Sequence, residues 1–223
     1  MAAAFIFSYV TAITLHHIYP ALPYISDMGT VAPEKCLLGA MLNVTAVLCI
    51  ATIYVCYKQV QALNPEENCI TKLNKAGFVL VLLSCLGRSI VANFQKTILF
   101  AAHVSGAVLT FGLGLLYLFV QTILSYQMQP QIHGKQVFWI RLLVVIWCGV
   151  SALSMLICSS LLYNGNFGTD IVQKLHWNPE GKGYVLHMIT TAAEWSMSFS
   201  FFGFSLTSIR DFQKISLWVE ANL

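Results

Sequence analysis

The sequence holds 223 residues, 57% of them hydrophobic and only 9% charged, with a net charge of +3. A soluble globular domain carries roughly 25% charged residues, so these charges are too few to cover a water-facing surface and most of the surface must face lipid. The length fits one domain, and without a run of Lys or Arg to track phosphates the chain is excluded as a nucleic-acid binder.

A helix needs about 20 apolar residues to cross the hydrocarbon core. Six segments compete for that role and predict an all-α, polytopic transmembrane bundle of about six helices. The first, 2–17, is short, because only Ala2 to Leu15 are free of strongly polar groups before His16 and His17. No basic residue precedes it and no small-x-small cleavage site follows, so it reads as a first helix lacking part of its N-terminal end rather than as a signal peptide. Pro33 and Glu34 open the second helix, 36–57, where a missing N–H is harmless and a negative charge meets the positive end of the helix dipole. The sequon Asn43-Val44-Thr45 falls inside that helix, out of reach of water, and is read as unused. Asn64, Pro65, Glu66 and Glu67 turn the chain toward the third helix, 76–92. A fourth helix covers 97–125 and a fifth 137–163. Arg88 and Arg141 fall within the third and fifth, and both are expected to snorkel toward the interface. Asn164, Gly165, Asn166 and Gly168 stop the fifth helix, and Asn178 and Pro179 begin the turn into the sixth, 183–209.

Orientation follows from the basic residues on alternate sides. Lys58, Lys72, Lys75, Lys135, Arg141, Arg210 and Lys214 lie on one side, against Lys35, Lys96, Lys174 and Lys182 on the other. The richer side is expected to be cytosolic, with both termini there and loops 16–35, 93–96 and 164–182 lumenal or extracellular. The seven cysteines are odd in number and lack a CxxC pair, which argues against a disulfide framework and a zinc site. Cys56 beside Tyr57 and Lys58 is a conceivable palmitoylation site, with a plain buried thiol the preferred reading.

In a membrane protein the informative residues are those that do not belong in lipid. Glu194 lies near the middle of the sixth helix and must face the bundle, protonated or paired. His187, Thr191, Glu194, Ser198 and Ser205 form a polar stripe around it, beside a bulky stripe that includes Trp195 and Phe199. On the fourth helix His103, Gly106, Thr110, Gly114, Tyr117 and Gln121 share a face whose glycines permit close helix approach. Two readings compete. The stripes are interhelical hydrogen bonds that fix packing, or His103, His187, Thr191, Glu194 and Ser198 line a cavity that binds a lipid head group or moves a proton. No His-x3-His or His-x-x-Glu pairing supports a metal. No Walker loop, GxSxG elbow, HExxH or dinucleotide fingerprint occurs, so no catalytic residue and no cofactor are assigned.

The first loop carries a more specific signal. His16-His17-Ile18-Tyr19-Pro20-Ala21-Leu22-Pro23-Tyr24-Ile25-Ser26-Asp27-Met28-Gly29-Thr30, followed by Pro33-Glu34, resembles the signature of the Frag1/DRAM/Sfk1 family. Ser89 to Gln95, Ala101 to Gly106 and Thr191 to Trp195 resemble it as well. His16, His17, Tyr24, Asp27, Gly29, Pro33 and Glu34 are therefore candidate loop-motif residues. The resemblance implies a six-helix, multi-pass protein of the lysosomal membrane that promotes autophagy, has a link to apoptosis and has no established reaction. It implies membrane lipids as partners, together with autophagy-related proteins engaged through cytosolic loops 58–75 and 126–136. Some distant relatives remodel glycosylphosphatidylinositol lipids or influence lipid distribution, so a lipid-binding or lipid-remodelling role is the alternative. The chain departs from the family in being short at both ends and in carrying Arg88 where an apolar residue is expected. The missing C-terminal tail leaves another endomembrane or the plasma membrane as an alternative location.

Overall fold

A computed structural model describes residues 2–66, 68–129, 134–167 and 175–209. Glu67, Gly168, Lys174, Arg210 and Lys214, with parts of loops 126–136 and 164–182, lie outside the described residues. Six helices carry the fold: α1 Ala2–Thr14, α2 Glu34–Leu63, α3 Cys69–Asn93, α4 Phe100–Gln127, α5 Lys135–Asn164 and α6 Tyr184–Leu206. A short 3-10 turn, Asp27–Gly29, interrupts the loop between α1 and α2, and no strand occurs among the described residues. The architecture is all-α, and α2 to α5 are each long and apolar enough to cross a membrane. At 23 residues α6 is long enough too, about 35 Å at 1.5 Å per residue, but less apolar because of its inward polar groups.

Several helices overrun their apolar stretches. The third begins at Cys69 rather than 76, with the Asn68 side chain accepting the Thr71 N–H at 3.1 Å as its cap. Hydropathy marks the slab of hydrocarbon, whereas a helix continues into water until its hydrogen-bond ladder is capped.

The distribution of side chains is that of a membrane bundle. On α5, Leu143, Ile146, Val150, Leu153, Ile157 and Leu161 form an exposed apolar stripe at helical spacing, while Val145, Cys148 and Ser151 face inward. Five charged residues go the other way: Asp27, Glu34, Arg88, Arg141 and Glu194 are buried, while Lys58, Lys72, Lys75 and Lys135 stay exposed toward the helix ends. Few charges and a predominantly apolar outer face leave lipid as the solvent for this surface.

Consecutive helices pack side by side, α2 on α3, α3 on α4, α4 on α5 and α5 on α6, with α1 against α2. The α3–α4 crossing is the tightest. A Cβ on Gly87 would lie 2.7 Å from both the Gly106 carbonyl oxygen and the Thr110 nitrogen. Immediately beyond this contact α4 widens into a π-helix over Val108–Leu113, and the Ser84 hydroxyl of α3 donates to the Thr110 carbonyl at 2.9 Å. Across α5 and α6, Ser196 accepts from Trp147 at 2.6 Å and bonds Ser151 at 3.0 Å. Small residues and side-chain hydrogen bonds are what hold helices together where lipid removes the hydrophobic difference.

Neither arginine snorkels outward. Arg141 is 2% exposed. Its Nε donates to Thr207 Oγ1 at 2.8 Å, Nη2 to Ser208 Oγ at 2.9 Å, and Nη1 to Ser125 Oγ, so it ties the start of α5 to the end of α4 and to the residues following α6. The Phe204 ring lies 5.1 Å beneath its guanidinium. Protein hydroxyls take the place of interfacial water, which removes the reason to snorkel. Arg88 also turns into the bundle and reaches the Cys49 thiol of α2.

Candidate functional site

The site is built on the loop that joins α1 to α2. Pro20, Pro23 and Pro33 keep this stretch from continuing as helix. His16 and Leu22 adopt left-handed backbone, with φ of 57° and 38°, and His16 does so where α1 ends, the His17 N–H returning to the Ala12 carbonyl at 2.9 Å. Further along, the loop is fastened to α6. The Ile25 N–H donates to Glu194 Oε2 at 2.9 Å, and Trp195 Nε1 donates to the Pro23 carbonyl at 2.8 Å. The Thr190 hydroxyl donates within its own helix to the His187 carbonyl, so the Tyr24 hydroxyl donates to Thr190. Ile25 and the fully buried Met28 then join Phe5, Leu38 and Leu42 in one apolar cluster.

Glu194 lies ten residues beyond Tyr184, roughly 15 Å along the helix. The loop therefore reaches well down the bundle. Irregular backbone at that depth is tolerated only where protein buries it and satisfies its polar groups, and the Glu194 carboxylate supplies that acceptor.

The loop between α3 and α4 closes over the same place. Lys96 Nζ lies 3.6 Å from Asp27 Oδ1 and 3.9 Å from the centre of the Tyr24 ring. Burial works against the charge on Lys96. The Asp27 carboxylate, then Tyr24 and Glu194, act in the other direction and hold the ammonium above the usual lysine range. Gln95 Nε2 donates to the Thr30 carbonyl at 3.0 Å. At the start of α2, His17 Nδ1 donates to Glu34 Oε1 at 2.6 Å, while Glu34 Oε2, fully buried, has no partner.

Of the predicted loop residues, His17, Tyr24, Asp27 and Glu34 thus make specific contacts. Gly29 fits under Leu38, whose side chain approaches within 2.9 Å of the place a Cβ would take. Pro33 sits at the N-cap of α2, and His16 is exposed. Of the predicted intramembrane residues, His103, Glu194 and Ser198 line one cavity of about 60 Å³ beneath the loop. His103 is oriented by donating from Nδ1 to the Phe94 carbonyl at 2.7 Å. His187 lies elsewhere, stacked on Trp177 at 4.3 Å and met edge-on by Tyr24 at 5.1 Å, with its Nδ1 buried and unpartnered. Thr191 bonds only within its own helix, to the His187 and Met188 carbonyls. The two histidines do not form one cluster, and Tyr24 of the first loop packs on His187 instead. Along its length α6 packs chiefly on α5, and it meets α4 through Phe201 against Phe111 and Gly114 and through Met197 near Leu118.

The sequence reading missed Thr190, Lys96 and Arg88 as site residues, and treated Trp195 as part of a lipid or packing stripe. A usable signal existed for Thr190, which stands three residues after His187 and four before Glu194. Among the described residues no three of His, Cys, Asp and Glu are placed to hold a metal, and the seven cysteines are free thiols.

The loop motif and the residues clamped around it are the stretches that carried the family resemblance. The family model described as Frag1/DRAM/Sfk1/Cwh43P N-terminal domain matches residues 1–215. The chain belongs to the Frag1/DRAM/Sfk1 family. It is 85% identical over 222 residues to DNA damage-regulated autophagy modulator protein 2 of Homo sapiens, covering 100% of this chain and 84% of that protein. It is 76% identical over 221 residues to the Mus musculus protein of the same name, covering 99% of this chain and 83% of that one. With DNA damage-regulated autophagy modulator protein 1 of Homo sapiens the identity is 38% over 223 residues, covering 100% and 90%. No solved structure matches. These relatives are named as autophagy modulators.

Proposed function

We propose that this chain is a multi-pass protein of the lysosomal membrane that promotes autophagy, with a link to apoptosis, and that it does so without catalysing a reaction. The observation that carries the reading is the 85% identity, over its whole length, to a protein named as an autophagy modulator. The structure supports a non-catalytic role. Of the groups that first suggest chemistry, Glu194 is spent on fastening the loop, together with Tyr24 and Trp195. Both termini face the cytosol in this reading, and autophagy-related partners meet loops 58–75 and 126–136.

The decisive measurement is autophagic flux after depletion and re-expression, read with lysosomal degradation blocked and unblocked. Depletion lowers flux and re-expression restores it. Unchanged flux would sink the proposal, as would steady residence outside lysosomes. Orientation is tested with the protein's own thiols, because Cys36 and Cys69 are exposed and lie at opposite ends of the α2–α3 pair. A membrane-impermeant maleimide applied from the cytosol labels Cys69 and spares Cys36 until the lumen is opened. The reverse pattern inverts the topology.

A further inference from the structure

The cavity beneath the first loop contains a cation without a matching anion. Arg88 is 8% exposed, lines the cavity, and its Nε is buried with no hydrogen-bond partner. Beside it lies the Cys49 thiol, at best a weak acceptor. No carboxylate lies within 4.0 Å of its guanidinium among the described residues. Glu194 lines the same cavity, but its Oε2 is engaged by the Ile25 N–H. Lys35 and His103 also line it, so the wall carries a lysine, an arginine and a histidine against one carboxylate.

A buried lysine or histidine escapes this situation by losing its proton, but a guanidinium keeps its charge in proteins. An uncompensated buried charge is strongly destabilising. The cost is offset where an anion, able to take two parallel N–H bonds from the guanidinium fork, enters the space beside it. About 60 Å³ is several times the 10–15 Å³ that one water needs by this measure, enough for a tetrahedral oxyanion but not for an acyl chain. Ser26 and Gln95 line the same space, and Thr110 and Phe111 bring to it the π-helical segment of α4, a distortion that recurs at functional sites.

We propose that the cavity between the first loop, α2, α3, α4 and α6 binds a phosphate group, with Arg88 as its principal ligand and Lys35 at its edge. The phosphate belongs either to a membrane phospholipid whose chains stay outside or to a free ion, and the chemistry that recognises it is the same. This site is independent of the role in autophagy, so failure of either proposal leaves the other standing.

The test uses the full chain purified in a maltoside detergent, with thermal unfolding followed in two arms. One arm titrates inorganic phosphate against chloride at matched ionic strength. The other titrates a short-chain phosphatidic acid against the corresponding diacylglycerol, which lacks the phosphate. Saturating phosphate in at least one arm raises the melting temperature by about 5 °C, as ligand linkage predicts for a chain of this size. A rise in the lipid arm alone assigns the phosphate to a headgroup, and a rise in both admits the free ion. Arg88→Leu abolishes the rise while its ligand-free melting temperature equals or exceeds that of the parent, since a buried unpaired cation has been removed. Should that variant not be recovered folded, Lys35→Gln reads the same site by moving the midpoint of the titration at least threefold. The proposal is overturned if the parent protein gains no more from phosphate than from chloride and no more from phosphatidic acid than from diacylglycerol. It is equally overturned if folded Arg88→Leu keeps the full shift or, where only Lys35→Gln is recovered, if the midpoint stays in place.

Discussion

Glu194→Ala releases the first loop from α6 and costs about 2–3 kcal/mol of stability, whereas Glu194→Gln leaves the loop in place. The carboxylate accepts the Ile25 N–H at 2.9 Å in a fully buried setting, and a buried donor stripped of a charged acceptor loses about 1.5–3 kcal/mol. Glutamine retains a carbonyl oxygen at nearly the same position, so the bond survives and only the charge is lost. The two substitutions therefore separate the acceptor from the charge. The measurement is amide hydrogen exchange across residues 23–29 in detergent, together with thermal unfolding. Exchange accelerates in the alanine variant and stays slow in the glutamine variant. Slow exchange in both would mean that Trp195 and Thr190 hold the loop without Glu194. Fast exchange in both would mean that the charge itself is required.

How far this arrangement can be read from sequence depends on the range of the interaction. A run of 20 apolar residues reports a span by itself, which is why α2, α4 and α5 are plain in the hydropathy pattern. Pro33 and Glu34 likewise mark the start of α2 through local chemistry. Glu194 stands out as a carboxylate that lipid would not accept. Its partner does not, because the loop bonds join residues 166 to 172 positions apart, and periodicity within one helix carries no information about them. A proline-rich stretch between two helices reads as an ordinary connecting loop, so its descent into the bundle has no local sign beyond Ile25 and Met28. The two arginines fail for a related reason. Hydropathy scores the cost of Arg141 in lipid but cannot see that Ser125, Thr207 and Ser208 converge on its guanidinium. The depth at which His103 and His187 lie is similar, yet similar depth on two helices is not contact.

The same limit applies to the glycines, where identical substitutions have opposite expected signs. Gly87→Ala costs about 3 kcal/mol, while Gly203→Ala is neutral or stabilising. In an exposed helix interior, alanine is favoured over glycine by about 1 kcal/mol, and propensity alone ranks the two positions equally. At Gly203 a Cβ meets nothing within 4 Å, so propensity decides. At Gly87 it would stand 2.6 Å from Leu109 Cβ and 2.7 Å from two backbone atoms of α4, none of which can rotate away. The helices must separate, which stretches the bond from Ser84 to the Thr110 carbonyl and disturbs the π-helical turn beside the cavity. Overpacking of this kind costs about 1–3 kcal/mol, and a backbone-to-backbone clash belongs at the upper end. Thermal unfolding of the two variants side by side in one detergent checks the contrast. If Gly87→Ala melts within a degree of the parent, the α3–α4 crossing is looser than these distances describe.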